Sequence, residues 1–160
     1  MATEKLKFEI HLYSQMWDTS PIVELKVGDS SYFKGEIKGT KDKPDIITFE
    51  HEFNENEEYT FVMERSNKNN RQTVLNDQGE IIKDQMLYIK SIMIDEIDIG
   101  GLVFEGVYRP EYPEPWASQQ KAEGNDLPTE IKNVTQMGHN GTWSFTFSSP
   151  FYMWLLENLY

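Results

Sequence analysis

Lys5-Leu6-Lys7-Phe8-Glu9-Ile10-His11-Leu12 alternates polar and apolar residues without a break. A period of two puts every second side chain on one side of an extended strand, so this segment has one wet and one dry face. A chain that opens in this way must supply a second layer to cover the dry face. The same pattern returns at Val23, Leu25 and Val27, at Phe33, Gly35 and Ile37, at Ile47, Phe49, His51 and Phe53, and at Tyr59, Phe61 and Met63. Turn-forming residues punctuate these runs at Gly28-Asp29, Gly39-Thr40 and Asn54-Glu55-Asn56. Short strands at such spacing, with almost no helical periodicity between them, predict an all-β chain folded as an antiparallel β-sandwich of the jelly-roll kind.

Further along, residues 72–75 and 80–83 flank Asn76-Asp77-Gln78-Gly79, which reads as a hairpin with glycine in the left-handed position. Met86 to Ile94 is apolar on both faces, the pattern of a central strand covered on two sides. Asp95 to Gly101 turns the chain into Leu102-Val103-Phe104, expected to be the last strand before a long connection, and Gly138-His139-Asn140-Gly141 turns it into the alternating run Trp143 to Phe147. Ser149 as a cap and Pro150 in the first turn predict a short C-terminal helix from there to Tyr160. Its Phe151, Trp154, Leu155 and Leu159 share one face, and the segment serves either core packing or a partner surface.

The 160 residues suit a single domain with its own core, and 13% aromatic content argues against disorder. A formal charge of −12 repels phosphate backbones and anionic head groups, so neither nucleic acid nor a membrane is an expected partner. With no cysteine, disulfides, thiolate metal sites and a cysteine nucleophile are excluded. The first residues, Met1-Ala2-Thr3-Glu4-Lys5-Leu6, lack the basic and apolar regions of a secretory signal, which predicts synthesis in a cytoplasm. Phe151 to Leu156 is far too short to cross a bilayer.

Between Glu105 and Lys132 about thirty residues show no strand pattern, yet carry Tyr108, Tyr112 and Trp116 among four prolines. Aromatic rings on a stiffened loop suit the apolar C–H face of a sugar, whose hydroxyls need polar partners nearby. Tyr108, Tyr112 and Trp116 are the candidate stacking residues, with Gln119, Gln120, Asn125 and Asp126 as hydroxyl partners. The competing arrangement is Trp116 folded back as a cap on the sandwich. Trp17, in the loop from Ser14 to Pro21, is a second candidate platform.

No catalytic pattern matches this one in quality. The three histidines are scattered, no Gly-x-Ser-x-Gly elbow is present, and 27 acidic residues allow carboxylate pairs to be drawn at will. The chain therefore reads as a binding protein and not an enzyme. The tripeptides beginning at Asn133 and Asn140 fit the glycosylation acceptor pattern but lack a secretory route.

Thr73 to Gly79, Leu87 to Ile97, Tyr112-Pro113-Glu114-Pro115-Trp116-Ala117 and Gly138 to Trp143 together resemble small β-sandwich proteins encoded by tailed phages. Those proteins are similar to the calcium-dependent xylan-binding family of carbohydrate-binding modules. The resemblance implies a non-catalytic, phage-encoded protein that recognises a polysaccharide or cell-surface glycan through loops at one end of a jelly roll, displayed on a virion. It also implies calcium; the residues offer two acid-rich turns, Asp77 with Glu80 in the hairpin and Asp95-Glu96 with Asp98, and Asp126 in the aromatic loop as candidate ligands, with acids simply solvated in turns as the alternative. The alternative function is a structural virion protein that binds other proteins through its C-terminus and long loop.

Overall fold

The computed structural model describes residues 2–15, 19–68, 73–78, 80–112 and 114–159. In chain order these form β1 (Thr3–Gln15), β2 (Ile22–Val27), β3 (Ser30–Glu36), β4 (Asp45–Asn54), β5 (Glu58–Ser66), β6 (Thr73–Leu75), β7 (Ile81–Asp84), β8 (Met86–Ile94), β9 (Ile97–Asp98), β10 (Val107–Pro110), α1 (Trp116–Ala122), β11 (Ile131–Lys132), β12 (Gln136–Met137), β13 (Gly141–Ser148) and α2 (Phe151–Leu159). One antiparallel sheet runs β12-β8-β1-β4, with β9 added to β8; the other runs β11-β10-β13-β5-β2-β3. The expected β-sandwich is therefore the fold. The hairpin β6–β7 pairs only with itself, Leu75 opposite Ile81 and Thr73 opposite Asp84.

The alternation seen in the sequence dictates which face packs. Leu6, Phe8, Ile10 and Leu12 of β1 are buried against Phe61 and Met63 of β5, Val23, Leu25 and Val27 of β2, and Phe145 and Phe147 of β13, in one continuous core. Phe8 ties the layers together. Its ring lies 4.9 Å from Phe49 and 6.0 Å from Phe53 in its own sheet, and 5.9 Å from Phe61 and 6.2 Å from Phe147 across the interior.

β8 corrects the reading of a strand covered on two sides. Ile10 pairs with Ile92 and His11 with Ser91, but Leu12 pairs with Ile89, so the ladder slips by one residue at Lys90. That bulge reverses the alternation, and Leu87, Ile89, Ile92 and Ile94 all reach the core although their sequence parity changes midway. Leu102-Val103-Phe104 is also not a strand: Gly100 to Glu105 forms a 3-10 helix with Leu102 and Val103 buried.

The turn out of that helix needs a glycine. A β-carbon on Gly106 would overlap the indole of Trp143, which is fully buried beneath it. Gly106→Ala is expected to cost about 1–3 kcal/mol through overpacking, read as a lower urea midpoint with an unchanged slope.

α2 forms as expected, with Phe151 and Leu155 buried, Trp154 partly buried, and Tyr152, Met153 and Leu156 exposed. Its cap differs. The Glu4 carboxylate, from the start of β1, accepts the Phe151 N–H at 2.8 Å and the Ser149 hydroxyl, so a distant acid satisfies the helix N-terminus in place of the local serine. Leu159's side chain and Tyr160 lie outside the described residues, as do Trp17 and the hairpin glycine Gly79. No helix among the described residues is long and apolar enough to cross a membrane.

Register decides where the connections emerge. Gln15 lies opposite Met86, Ile22 opposite Ser66, Leu87 opposite Met137, and Gly141 opposite both Arg65 and Pro110. The β6–β7 ribbon, the segment after Pro110 and the turn at 138–140 consequently leave the sandwich at the same end, while α2 packs at the other.

Candidate functional site

The segment expected to be one long loop is built from β10, α1 and β11, with connections between them. α1 has local causes. Ala117, Gln119, Gln120, Lys121 and Ala122 are strong helix formers, and the Glu114 carboxylate accepts the Ser118 N–H at 3.3 Å and its hydroxyl at 2.6 Å. Gly124, at φ +82°, ends the helical path with a left-handed residue. No residue of α1 is buried, so the helix is held by its flanks.

Tyr108 is the first correction within the site. It faces inward from β10 and is only 3% exposed, so its ring offers nothing to a ligand. Its hydroxyl instead donates to the His139 carbonyl and accepts the His139 N–H at 2.9 Å, which clamps the 138–140 turn; burial pushes the phenol up to about 12. The parity of β10 explains the miss: a four-residue strand is too short to show alternation.

Beneath the same turn lies a buried set of ions. Arg65 is 1% exposed and donates from Nη1 to the Met137 carbonyl at 2.7 Å and from Nη2 to the Gln85 backbone and side-chain oxygens at 3.1 and 2.6 Å. Burial pulls its guanidinium down to about 10, opposed by Tyr108 and Asp84. Lys68 Nζ sits 2.7 Å from Asp84 Oδ1 and also donates to the Gly138 carbonyl. Lys68 N–H and carbonyl bond the Asn140 side chain reciprocally, each at 2.9 Å. The turn is thus fixed by charged and amide groups on every side that faces the interior.

On its outer side the turn carries a ring cluster. The His139 imidazole stacks on Trp116, centroids 5.7 Å apart and 29° between planes, and meets Tyr112 edge-on at 5.1 Å. Tyr112 and Trp116 are 6.0 Å apart, and the Tyr112 hydroxyl donates to the Pro128 carbonyl at 2.5 Å. Trp116 remains 38% exposed. Two of the three expected rings therefore come together at the surface, joined by a histidine that the sequence left as an isolated turn residue.

Gln119 and Gln120 follow Trp116 at helical spacings of three and four and share its side of α1. Asn125 and Asp126 do not. With Glu114, Ser118 and Lys121 they line a shallow open recess of about 520 Å³ against the other side of the helix. Asn125 is partly engaged already, donating to Gln120 Oε1 at 2.8 Å.

No protein-family model matches the chain, and no curated protein matches it. Among solved structures, the selenomethionine form of vCBM60 aligns over 88% of this chain and 89% of its own, with a TM-score of 0.53 and 10% sequence identity. The chain shares its fold with vCBM60. That protein is described in connection with two families of calcium-dependent carbohydrate binding modules linked by circular permutation. vCBM60 in complex with galactobiose gives a TM-score of 0.48 at 10% identity, over 87% of this chain and 96% of that one.

Among the described residues, no group of three or more His, Cys, Asp or Glu side chains could hold a metal ion. Asp126 stands at the recess, whereas Asp77 and Glu80 are exposed at the β6–β7 hairpin, where Glu80 pairs locally with the Asn76 amide at 3.3 Å. The other acidic turn is also engaged: Asp95 accepts the Tyr152 hydroxyl at 2.6 Å and Asp98 the Gly100 N–H at 2.8 Å. Asp126 on one side and Asp77 with Glu80 on the other are therefore not brought together into one acidic cluster.

Proposed function

We propose that the protein is a non-catalytic carbohydrate-binding module that recognises a polysaccharide or cell-surface glycan on the ring cluster of Tyr112, Trp116 and His139. One observation carries this reading: an exposed indole held against two further rings at the loop end of the sandwich. Sugar C–H faces desolvate well on such a surface, and Gln119 beside it supplies donors and acceptors for hydroxyls. The recess with Asn125, Asp126, Glu114 and Lys121 accommodates an adjoining residue of the glycan. The fold shared with vCBM60 supports the same class of ligand. The sequence resemblance to phage sandwich proteins supports display on a virion, where many copies raise avidity far above single-site affinity.

Affinity electrophoresis through gels cast with neutral polysaccharides tests the reading. Trp116→Ala is expected to weaken retention on the best glycan about fivefold, from a ring contribution on the order of 1 kcal/mol, with unchanged melting because α1 buries nothing. Full retention by that variant places the site elsewhere.

A further inference from the structure

His139 belongs to neither of the segments that carry its ring partners, and its surroundings are unusual for a surface imidazole. Its backbone is clamped by Tyr108 on β10, and its neighbours Gly138 and Asn140 are held by Lys68, which follows β5. Its ring covers one face of the Trp116 indole while Tyr112 meets it edge-on. α1, which carries Trp116, has no buried residue, so nothing in the sandwich core positions the indole. The orientation of that ring rests on Tyr112 and His139.

We propose that His139 is the positioning residue of the glycan surface: its neutral ring holds Trp116 in place from a turn anchored on buried ions, and protonation of that ring loosens the indole and weakens glycan binding in acid. The inference rests on the carbohydrate reading for its consequence, but its first step, the coupling of His139 charge to Trp116 placement, stands without a ligand.

The charged groups around the ring set the direction. From the interior, Lys68 and Arg65 disfavour a positive imidazole, and Asp84 on β7 favours it; on the outer side Tyr112 and Trp116 carry no charge, and Tyr108 meets the backbone only. An indole face attracts a cation, which opposes the proposal. Burial is the largest influence, however, and Lys68 and Arg65 act in the same sense, so His139 is held below the ordinary imidazole value. Lys68 and Arg65 stay beneath the turn whether or not the indole is seated, but the share of the burial given by Trp116 and Tyr112 is relieved when the indole leaves, so the assembled state binds fewer protons than the loosened one. The stabilisation is then full above the ordinary value of about 6.5 and is lost as pH falls through the folded value.

The experiment is a pH titration of the full chain, from about pH 7.5 to about pH 5, which brackets the ordinary imidazole range. Tryptophan emission is followed in wild type and in Trp116→Phe, whose difference isolates Trp116 from the other three indoles. Histidine side-chain NMR gives the His139 midpoint directly. The expected result is a single emission step that coincides with a His139 midpoint below 6.5, together with a loss of retention of about threefold or more across it. His139→Phe keeps a flat ring and cannot titrate; it is expected to lose the emission step and the acid dependence of whatever retention it shows. His139→Ala is expected to lose retention at all pH values.

A His139 midpoint at or above 6.5, no emission step in wild type, or the same acid loss in His139→Phe overturns the proposal. These readouts on wild type do not depend on the variants folding. If no polysaccharide is retained at any pH, the carbohydrate reading fails while the emission step still decides the role of His139.

Discussion

Asp84→Ala is expected to lower the unfolding free energy by about 3–5 kcal/mol, measured by urea titration with circular dichroism. Asp84 is the acid that neutralises Lys68, whose side chain is 8% exposed, and Arg65 lies in the same interior set. Removing the acid leaves two buried cations that disfavour each other, with the Met137, Gly138 and Gln85 oxygens as their remaining acceptors among the hydrogen bonds described. Lys68 is already held below its usual range, by burial first, with Asp84 opposing that shift and Arg65 adding to it. Without Asp84 the ammonium must deprotonate, draw in water or pull the 138–140 turn away from the core. A loss smaller than about 1 kcal/mol would mean that the pair behaves like a solvated surface pair.

Phe8→Ala is expected to cost a similar amount, about 3–5 kcal/mol, for a different reason. Its ring is fully buried and touches four phenylalanines distributed over both sheets. Truncation removes the transfer free energy of the ring and leaves a cavity that two stiff sheets cannot collapse around. The urea midpoint should fall with little change in slope, and Phe8→Leu should recover much of the loss because it refills the space. Glycan retention measured well below the melting point should be unaffected, since Phe8 is remote from the loop end.

The β-sandwich was legible because period-two alternation reports directly on burial, and β1, β2, β4, β5 and β13 follow it residue by residue. Local signals failed where geometry depends on a partner. The slip at Lys90 is set by the pairing of β8 with β1, so the sequence of β8 alone reads as a strand apolar on both sides. Tyr108 looks the same in sequence as Tyr112, four residues on, yet one is a core strut and the other a surface ring, because β10 pairs with β13 and puts Tyr108 against Trp143 in register. Trp116 and Tyr112 could be nominated from composition. His139 could not, because its partners come from a distant part of the chain and a lone histidine in a glycine turn has no spacing to reveal them. The buried set of Arg65, Lys68, Asp84 and Gln85 was equally hidden, since charged residues near strand ends ordinarily face water.

No residue of α1 is buried, so evolution or an engineer can rewrite Ser118 to Asp126 at little cost to the scaffold. On the proposed carbohydrate reading, selectivity resides in an exchangeable cassette, while the pinned turn opposite supplies a constant reference ring. Related chains built on this plan are expected to diverge fastest in that cassette and to differ in the sugar they prefer while unfolding at similar temperatures.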